Sequence, residues 1–351
     1  LADADRTSAQ AQRDLLVSHE KLGDVYLELG DSQAALGSYK KGLEVAQRLA
    51  DADRTSARAQ RDLSVSHNKL GDVYLRLGDS QAALGSYKKG LEVRQRLADA
   101  DRTSAQAQRD LIVSHNRLGD VYLRLGDSQA ALDEYKKGLE VRQRLADADK
   151  TSAQAQRDLL VSFFKLGDVA QQTYEFKAAQ DWYGRALDVP RRFPRPDVFK
   201  QEVTILEDRV SFCRAAEQAI ADPATALKLP DDLRRPVFVA AMSALARKEK
   251  QPAKAAAAAD LLARNAKEAL DWYTAACGYA ICVPLADKPE TKEKYAARAV
   301  ELLRQAVAKG YKDAAHIKED SDLDALRQRD DFKKLLADLE TATKPKDSKE
   351  P

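Results

Sequence analysis

Cysteine is scarce. The chain of 351 residues has three, Cys213, Cys277 and Cys282, an odd number without a Cys-x-x-Cys pair. That excludes a disulfide framework and a thiolate zinc site as organising devices, and it fits free thiols in a reducing, cytoplasmic setting. An excess of charge of either sign is missing too: 58 Lys and Arg stand against 56 Asp and Glu, for a formal net charge of +2. The bases lie among acids along the helices, which argues against nucleic acid as a partner, since such chains gather basic residues on one face or in one tail. Long apolar runs are absent as well. None approaches the roughly 18 to 20 residues that a bilayer span needs, and the longest, Ala275 to Ala286, is interrupted by Gly278 and Pro284. It reads as a buried helix, so no membrane partner is expected. The chain opens at Leu1 in what reads as a linker, without methionine. A piece of something longer is therefore expected, and a missing signal peptide carries little weight.

Motifs for chemistry are also missing. No Walker loop, glycine-rich phosphate loop, nucleophile elbow or His-Glu-x-x-His is present. Arg13-Asp14-Leu15 and its copies spell part of the kinase catalytic loop, but they lack its histidine and sit inside a helix pattern. No catalytic site, metal or cofactor is expected.

What is present is repetition. The decapeptide from Leu118 to Asp127, Leu-Gly-Asp-Val-Tyr-Leu-Arg-Leu-Gly-Asp, also stands almost unchanged at Leu22 to Asp31 and Leu70 to Asp79, and a weathered copy begins at Leu166-Gly167-Asp168, a step of 48 residues. A fixed step of this size marks stacked supersecondary units. Within a unit, Thr7 and Gln10 have the spacing of a capping box, which predicts a helix starting near Ser8. Leu15, Ser18, Leu22, Val25, Tyr26 and Leu29 follow one helical face, and Gly30 supplies the left-handed residue that ends it. Asp31 then caps a second helix with Ala34, Ala35, Tyr39, Gly42, Leu43 and Leu49 inside. Gly23, Ala35 and Gly42 are small where two helices come close.

Leu22-Gly23, Tyr26, Gly30, Ala35, Tyr39 and Gly42 resemble the signature of the tetratricopeptide repeat, whose usual unit is 34 residues. Here the unit is lengthened, similar in spirit to the repeats of kinesin light chains. The resemblance covers residues 1–192 and implies an all-α, right-handed superhelical solenoid of antiparallel helix pairs. Copy four departs from it, with Ala170 for tyrosine and Tyr174 for glycine, and the prolines of Arg191 to Pro196 suggest a boundary. Residues 193–340 read as degenerate helix pairs of the same kind. Helices are predicted at 197–220, 233–248, 252–265, 266–283 and 290–308, followed by a capping helix over 320–336 and a disordered tail at 341–351. Residues 271–340 are similar to the repeat tails of bacterial serine/threonine kinases, through Lys309-Gly310-Tyr311, Asp322-Leu323 and Arg329 to Phe332. That likeness implies an upstream catalytic domain.

His19, His67 and His115 recur at the repeat step and suggest a ligand ladder, but copy four has Phe163 there. A position that accepts phenylalanine is a packing position. In tetratricopeptide arrays the first helices line a peptide-binding groove. The resemblance therefore points to Glu20, Asn68, Asn116 and Phe164 as one row, to Asp24, Asp72 and Asp120 as a second, to Leu75 and Leu123 as a third, and to Arg76 and Arg124, where copy one has Glu28, as a fourth. Two readings are open for the arginines. Either they grip a carboxylate or phosphate, or they form i to i+4 pairs with Asp72 and Asp120 on their own helices. An aspartate ring would repel a carboxylate, so a clamp for chaperone tails is not expected. The expectation overall is a protein- or peptide-binding scaffold without catalysis. The alternatives are a recruiting extension of a kinase and a self-assembling homo-oligomer.

Overall fold

A computed structural model of the chain describes residues 8–343. Every regular element among them is helical. The first three copies form antiparallel pairs: α1 (Ala9–Glu28) with α2 (Ser32–Ala52), α3 (Ala57–Arg76) with α4 (Ser80–Ala100), and α5 (Ala105–Arg124) with α6 (Ser128–Ala148). Each pair packs on the next through its second helix, α2 on α3 and α4 on α5. Copy four supplies α7 (Ala153–Gln172) and α8 (Phe176–Arg192). Two compact units result, and the division runs through α7 and α8. The first unit extends to Val169 and takes back Gly184–Val203, whereas Ala170–Tyr183 and everything from Thr204 onward belong to the second. The aromatic rings explain why the tips of these two helices belong to the second unit: Phe176 meets Phe212 edge to face at 6.2 Å and Tyr174 at 6.4 Å.

The helix starts differ from the capping box expected at Thr7, which itself lies outside the described residues. Ser8, Ser56 and Ser104 are the N-caps, each accepting from the backbone N–H three residues on at 3.2 Å. Where the threonine is described, an aspartate has captured it. Asp53 accepts from the Thr55 hydroxyl at 2.7 Å and from the Thr55 and Ser56 amides. A carboxylate is the stronger acceptor, so the serine is left to cap. Gln10 likewise reaches forward to Asp14 at 2.8 Å instead of back.

The turns are as the glycines predict. Gly30, Gly78 and Gly126 have φ of 81°, 79° and 79°, and the aspartate after each caps the second helix. In copy four Tyr174 takes that conformation with φ 61°. A side chain strains it, and the ring contacts with Phe176 work against that cost.

The histidine position is a packing position, as Phe163 foretold. His67 and His115 are buried, as Phe163 is. Burial, helped by Lys89, pulls the His67 pKa down to about 4. The unfolded chain, with a histidine pKa of about 6.5, therefore takes up a proton between pH 6.5 and 4 that the folded chain refuses, and stability falls across that window as pH drops. His67→Phe is expected to remove this loss. Urea midpoints of variant and wild type should diverge more at pH 5 than at pH 8.

After α8 comes α9 (Lys200–Ala221), which belongs to the second unit from Thr204 onward and is preceded by a 3-10 turn at Pro196–Phe199 where one longer helix was expected. Then come α10 (Asp231–Ser243), continued by a π turn over Ala244–Lys248, α11 (Pro252–Arg264), α12 (Ala269–Ala280) and α13 (Pro289–Ala308). The apolar run of 275–286 is divided between α12 and a 3-10 turn at Val283–Leu285, and it is largely buried.

The single terminal helix predicted over 320–336 is instead two elements, a 3-10 turn at Ser321–Leu326 and α15 (Asp330–Thr343), and a short helix that was not expected, α14 (Ala314–Glu319), precedes them. Asp320 starts the 3-10 turn. Its carboxylate accepts from the Asp322 amide and from the Tyr273 hydroxyl at 2.5 Å, which ties the turn to α12. Leu323, Leu326, Phe332, Leu335 and Leu339 still close the core as a cap should. α15 runs through Thr343, so the expected tail loses its first three residues to helix, and 344–351 lie outside the described residues.

Candidate functional site

In each of the first three copies the Leu-Gly-Asp motif builds a joint. Gly23, Gly71 and Gly119 lie directly under the rings of Tyr39, Tyr87 and Tyr135 on the paired helix, so close that a Cβ would overlap the ring. The glycine lets the ring lie flat on the helix, and the aspartate one residue on receives its hydroxyl. Tyr39 donates to Asp24 and Tyr87 to Asp72, each at 2.6 Å, and Tyr135 donates to Asp120. The next copy then supplies a cation. Lys69 pairs with Asp24 at 2.5 Å, Arg117 with Asp72, and Lys165 with Asp120 at 2.7 Å. Each cation also sits over the same tyrosine ring, at 5.6, 5.6 and 5.0 Å from the centroid.

Partial burial works to raise the Asp24 pKa, but the bonds from Lys69 and Tyr39 outweigh it and hold the carboxyl below its usual value. For the tyrosines, burial first and then the carboxylate push the hydroxyl pKa up. These groups therefore stay in one ionisation state. The aspartates form no free ring of negative charge, so the expectation that they repel a carboxylate loses its premise.

A second ladder lies nearer the helix starts, where Arg13 meets Asp62 at 2.7 Å and Arg61 meets Asp110 at 2.6 Å. Both ladders run from one copy to the next, so the repeat step is written in charge as well as in packing.

Between the ladders and the helix ends opens a cleft of 410 Å³, lined by Asp24 and Leu27 of α1, Tyr39 of α2, Lys69, Asp72, Leu75 and Arg76 of α3, and Arg124 of α5. It gathers five of the residues predicted for a groove: Asp24, Asp72, Leu75, Arg76 and Arg124. The arginines do not pair with the aspartates four residues before them, because Asp72 and Asp120 are taken by Arg117 and Lys165. Among the described residues neither Arg76 nor Arg124 has an ion pair, and both are exposed.

The first predicted row fares differently. Asn68 is only 4% exposed, and with its amide oxygen toward Arg94 it accepts from both guanidinium Nη atoms at 2.9 and 3.0 Å. It serves the buried Arg94, which also donates to Ser64, Ser114 and the Asp110 carbonyl, so Asn68 is withdrawn as a ligand contact. Glu20 is half-buried and accepts from Ser66 at 3.0 Å, and burial raises its pKa. Asn116 and Phe164 are half-buried and do not line this cleft, nor do Asp120 and Leu123. Sequence reasoning missed Tyr39 and Lys69. The signal was there, as a tyrosine always 15 residues after the aspartate and a base always 45 after it.

The family model described as tetratricopeptide repeat matches residues 14–96 and, one step on, 62–144. Those residues are tetratricopeptide repeats. Among solved structures the chain is similar to BtubC from P. vanneervenii (17% identity, 79% of this chain and 91% of that one, TM-score 0.38). It is also similar to a tetratricopeptide repeat protein from Parabacteroides merdae (14%, 89% and 99%, TM-score 0.42) and to the apo form of RapI (14%, 88% and 97%, TM-score 0.41). No curated protein matches. Tetratricopeptide repeats generally bind proteins or peptides, and no helix among the described residues is long and apolar enough to cross a membrane.

Proposed function

We propose that the chain is a non-catalytic module that holds a segment of a protein partner in this cleft. Carboxylate side chains of the partner rest on Arg76 and Arg124, and an apolar side chain rests between Leu27 and Leu75. One observation carries the reading: the acids of the cleft are neutralised from within, by tyrosine hydroxyls and by the next copy's cations, whereas the two arginines are not. The lining residues hold two acids, Asp24 and Asp72, against three bases, Lys69, Arg76 and Arg124, an excess of one positive charge. A guanidinium without an internal partner gains from a carboxylate brought to it.

The cysteines support the non-catalytic part. Burial pushes the Cys277 thiol well up and the Cys282 thiol up to about 12, so neither is a nucleophile at neutral pH. Buried free thiols also fit a reducing compartment such as the cytoplasm.

The test is fluorescence anisotropy with labelled peptides carrying two glutamates spaced around a leucine. Arg76→Glu and Arg124→Glu are each expected to weaken the best binder by roughly tenfold, about 1.4 kcal/mol. The loss should shrink as salt rises. Binding that is indifferent to both reversals would move recognition away from the cleft.

A further inference from the structure

A second cavity, of 430 Å³, lies where copy three meets copy four and shares no residue with the cleft. It is framed by the end of α6, the start of α7 and the end of α8. Its floor is apolar: Leu159 and Phe163 come from α7, Val189 from α8 and Phe193 from the residue that follows α8, and all four are buried. The Phe193 amide donates to the Pro190 carbonyl at 3.1 Å, and its ring meets Phe199 edge to face at 5.3 Å, so the ring is held in place. On the rim, Lys150, Arg185 and Arg192 stand against Asp147 and Asp188, an excess of one positive charge. Asp147 already accepts from the Gln143 amide at 3.2 Å, and Asp188 pairs with Arg191 at 3.3 Å. Arg192 reaches Asp188 only at 3.9 Å, and Lys150 is exposed with no ion pair among the described residues. The turn that carries Lys150 is fixed, because Asp149 accepts from the Thr151 and Ser152 amides, each at 3.0 Å.

The joint between copies one and two is an internal control. Its cavity, at the equivalent place, has Leu63, Val93 and Leu97 as its floor, no aromatic residue lines it, and Arg54 and Arg96 balance Asp51 and Asp101. Phe163 stands where copies two and three have His67 and His115, and Phe193 where they have Leu97 and Leu145. Two exchanges therefore give the last joint a pair of rings under a basic rim.

We propose that this cavity binds a small aromatic acid. Its ring rests on Phe163 and Phe193, and its carboxylate lies between Lys150 and Arg192. The volume is that of a small-molecule site, apolar below with a few polar groups to orient the ligand. Ring contacts favour an aromatic over an aliphatic body, and the rim selects an anion. The aromatic floor is absent from the equivalent cavity between copies one and two, so it offers one seat for one ring and no track along which an extended partner could repeat its contacts.

The probe is naphthoate, titrated calorimetrically into the whole chain beside uncharged naphthamide and aliphatic cyclohexanecarboxylate. Naphthoate is expected to fill a single site, with each analogue roughly tenfold weaker. Phe163→His combined with Phe193→Leu restores residues that the fold already carries in copies two and three, and should weaken naphthoate roughly tenfold. Lys150→Glu should weaken it by a similar factor, whereas Arg54→Glu, the same reversal at the control joint, should leave it unchanged. Absence of naphthoate binding overturns the proposal, as does equal binding of naphthamide or an equal loss in Arg54→Glu and Lys150→Glu. So does a cavity that takes an end-capped Trp-Asp peptide but not naphthoate, which would give it to a side chain of a protein partner.

Discussion

Gly71→Ala is expected to destabilise the repeat array by about 1–3 kcal/mol, the range for forcing a methyl into a packed site. The same change at Gly85, one helix on, should stabilise it by about 0.5–1 kcal/mol through helix propensity. The contrast lies in the surroundings of each glycine. Nothing lies within 4 Å of a Cβ at Gly85, whereas one at Gly71 overlaps the Tyr87 ring. That ring is buried and rigid, so it must move bodily. Moving it withdraws the hydroxyl from Asp72 and shifts the surface on which Arg117 rests, which opens the joint between copies two and three. Denaturant midpoints of the two variants, at unchanged m-value, check the sign on each side. Equal effects at the two glycines would mean that propensity, and not the Tyr87 contact, sets the residue at position 71.

The sequence carried the repeat fold because its evidence was local and redundant. Glycines at Gly30, Gly78 and Gly126, capping aspartates and a 3.6-residue apolar pattern each predict the same elements, and copies at a step of 48 residues confirm one another. The cleft was half legible. Asp24, Asp72, Leu75, Arg76 and Arg124 are given by the face they occupy, but which charge is spoken for depends on residues 45 positions away in the next copy. Helical periodicity cannot see that distance, so a pairing of Asp72 with Arg76 stayed open when Asp72 belongs to Arg117. Asn68 failed for a similar reason: Arg94, which stands where copy one has Ala46, draws it inward. In the second unit the capping segment was read as one helix from its leucines and Phe332, but it leaves helix at 327–329, and Asp320 anchors a separate 3-10 turn ahead of that break by bonding to Tyr273, 47 residues earlier.

Asp271→Ala is expected to cost the second unit about 3–5 kcal/mol, the penalty for stranding one partner of a buried ion pair. Asp271 has no exposed surface and Arg234 only 3%. One carboxylate serves four donors. It accepts from the Lys267 and Glu268 amides at 2.8 and 3.2 Å, which opens α12, and from Arg234 at 2.8 Å and Arg235 at 3.2 Å, which ties α12 to α10. Truncation therefore leaves the buried Arg234 guanidinium with only the exposed Asp231 carboxylate, 3.8 Å away, as counter-charge, and its Nε already lacks a hydrogen-bond partner. Asp271→Ala with Arg234→Met should recover part of the loss, because removing both charges also removes the stranded one. The Lys267 and Glu268 amides ahead of α12 stay unserved, so recovery should stop short of wild type. Acid gives an independent check. Burial works to raise the Asp271 pKa, but the two amides, Arg234 and Arg235 outweigh it and hold it below its usual value. The stability it contributes is then fully present above the unfolded carboxyl pKa of about 3.9 and is lost as pH falls through the lower, folded value. The double variant should lose less stability than wild type over that acid window, measured by urea unfolding tracked at Trp272 on α12. A double variant as unstable as Asp271→Ala would assign the cost to the helix start alone and make Arg234 a bystander.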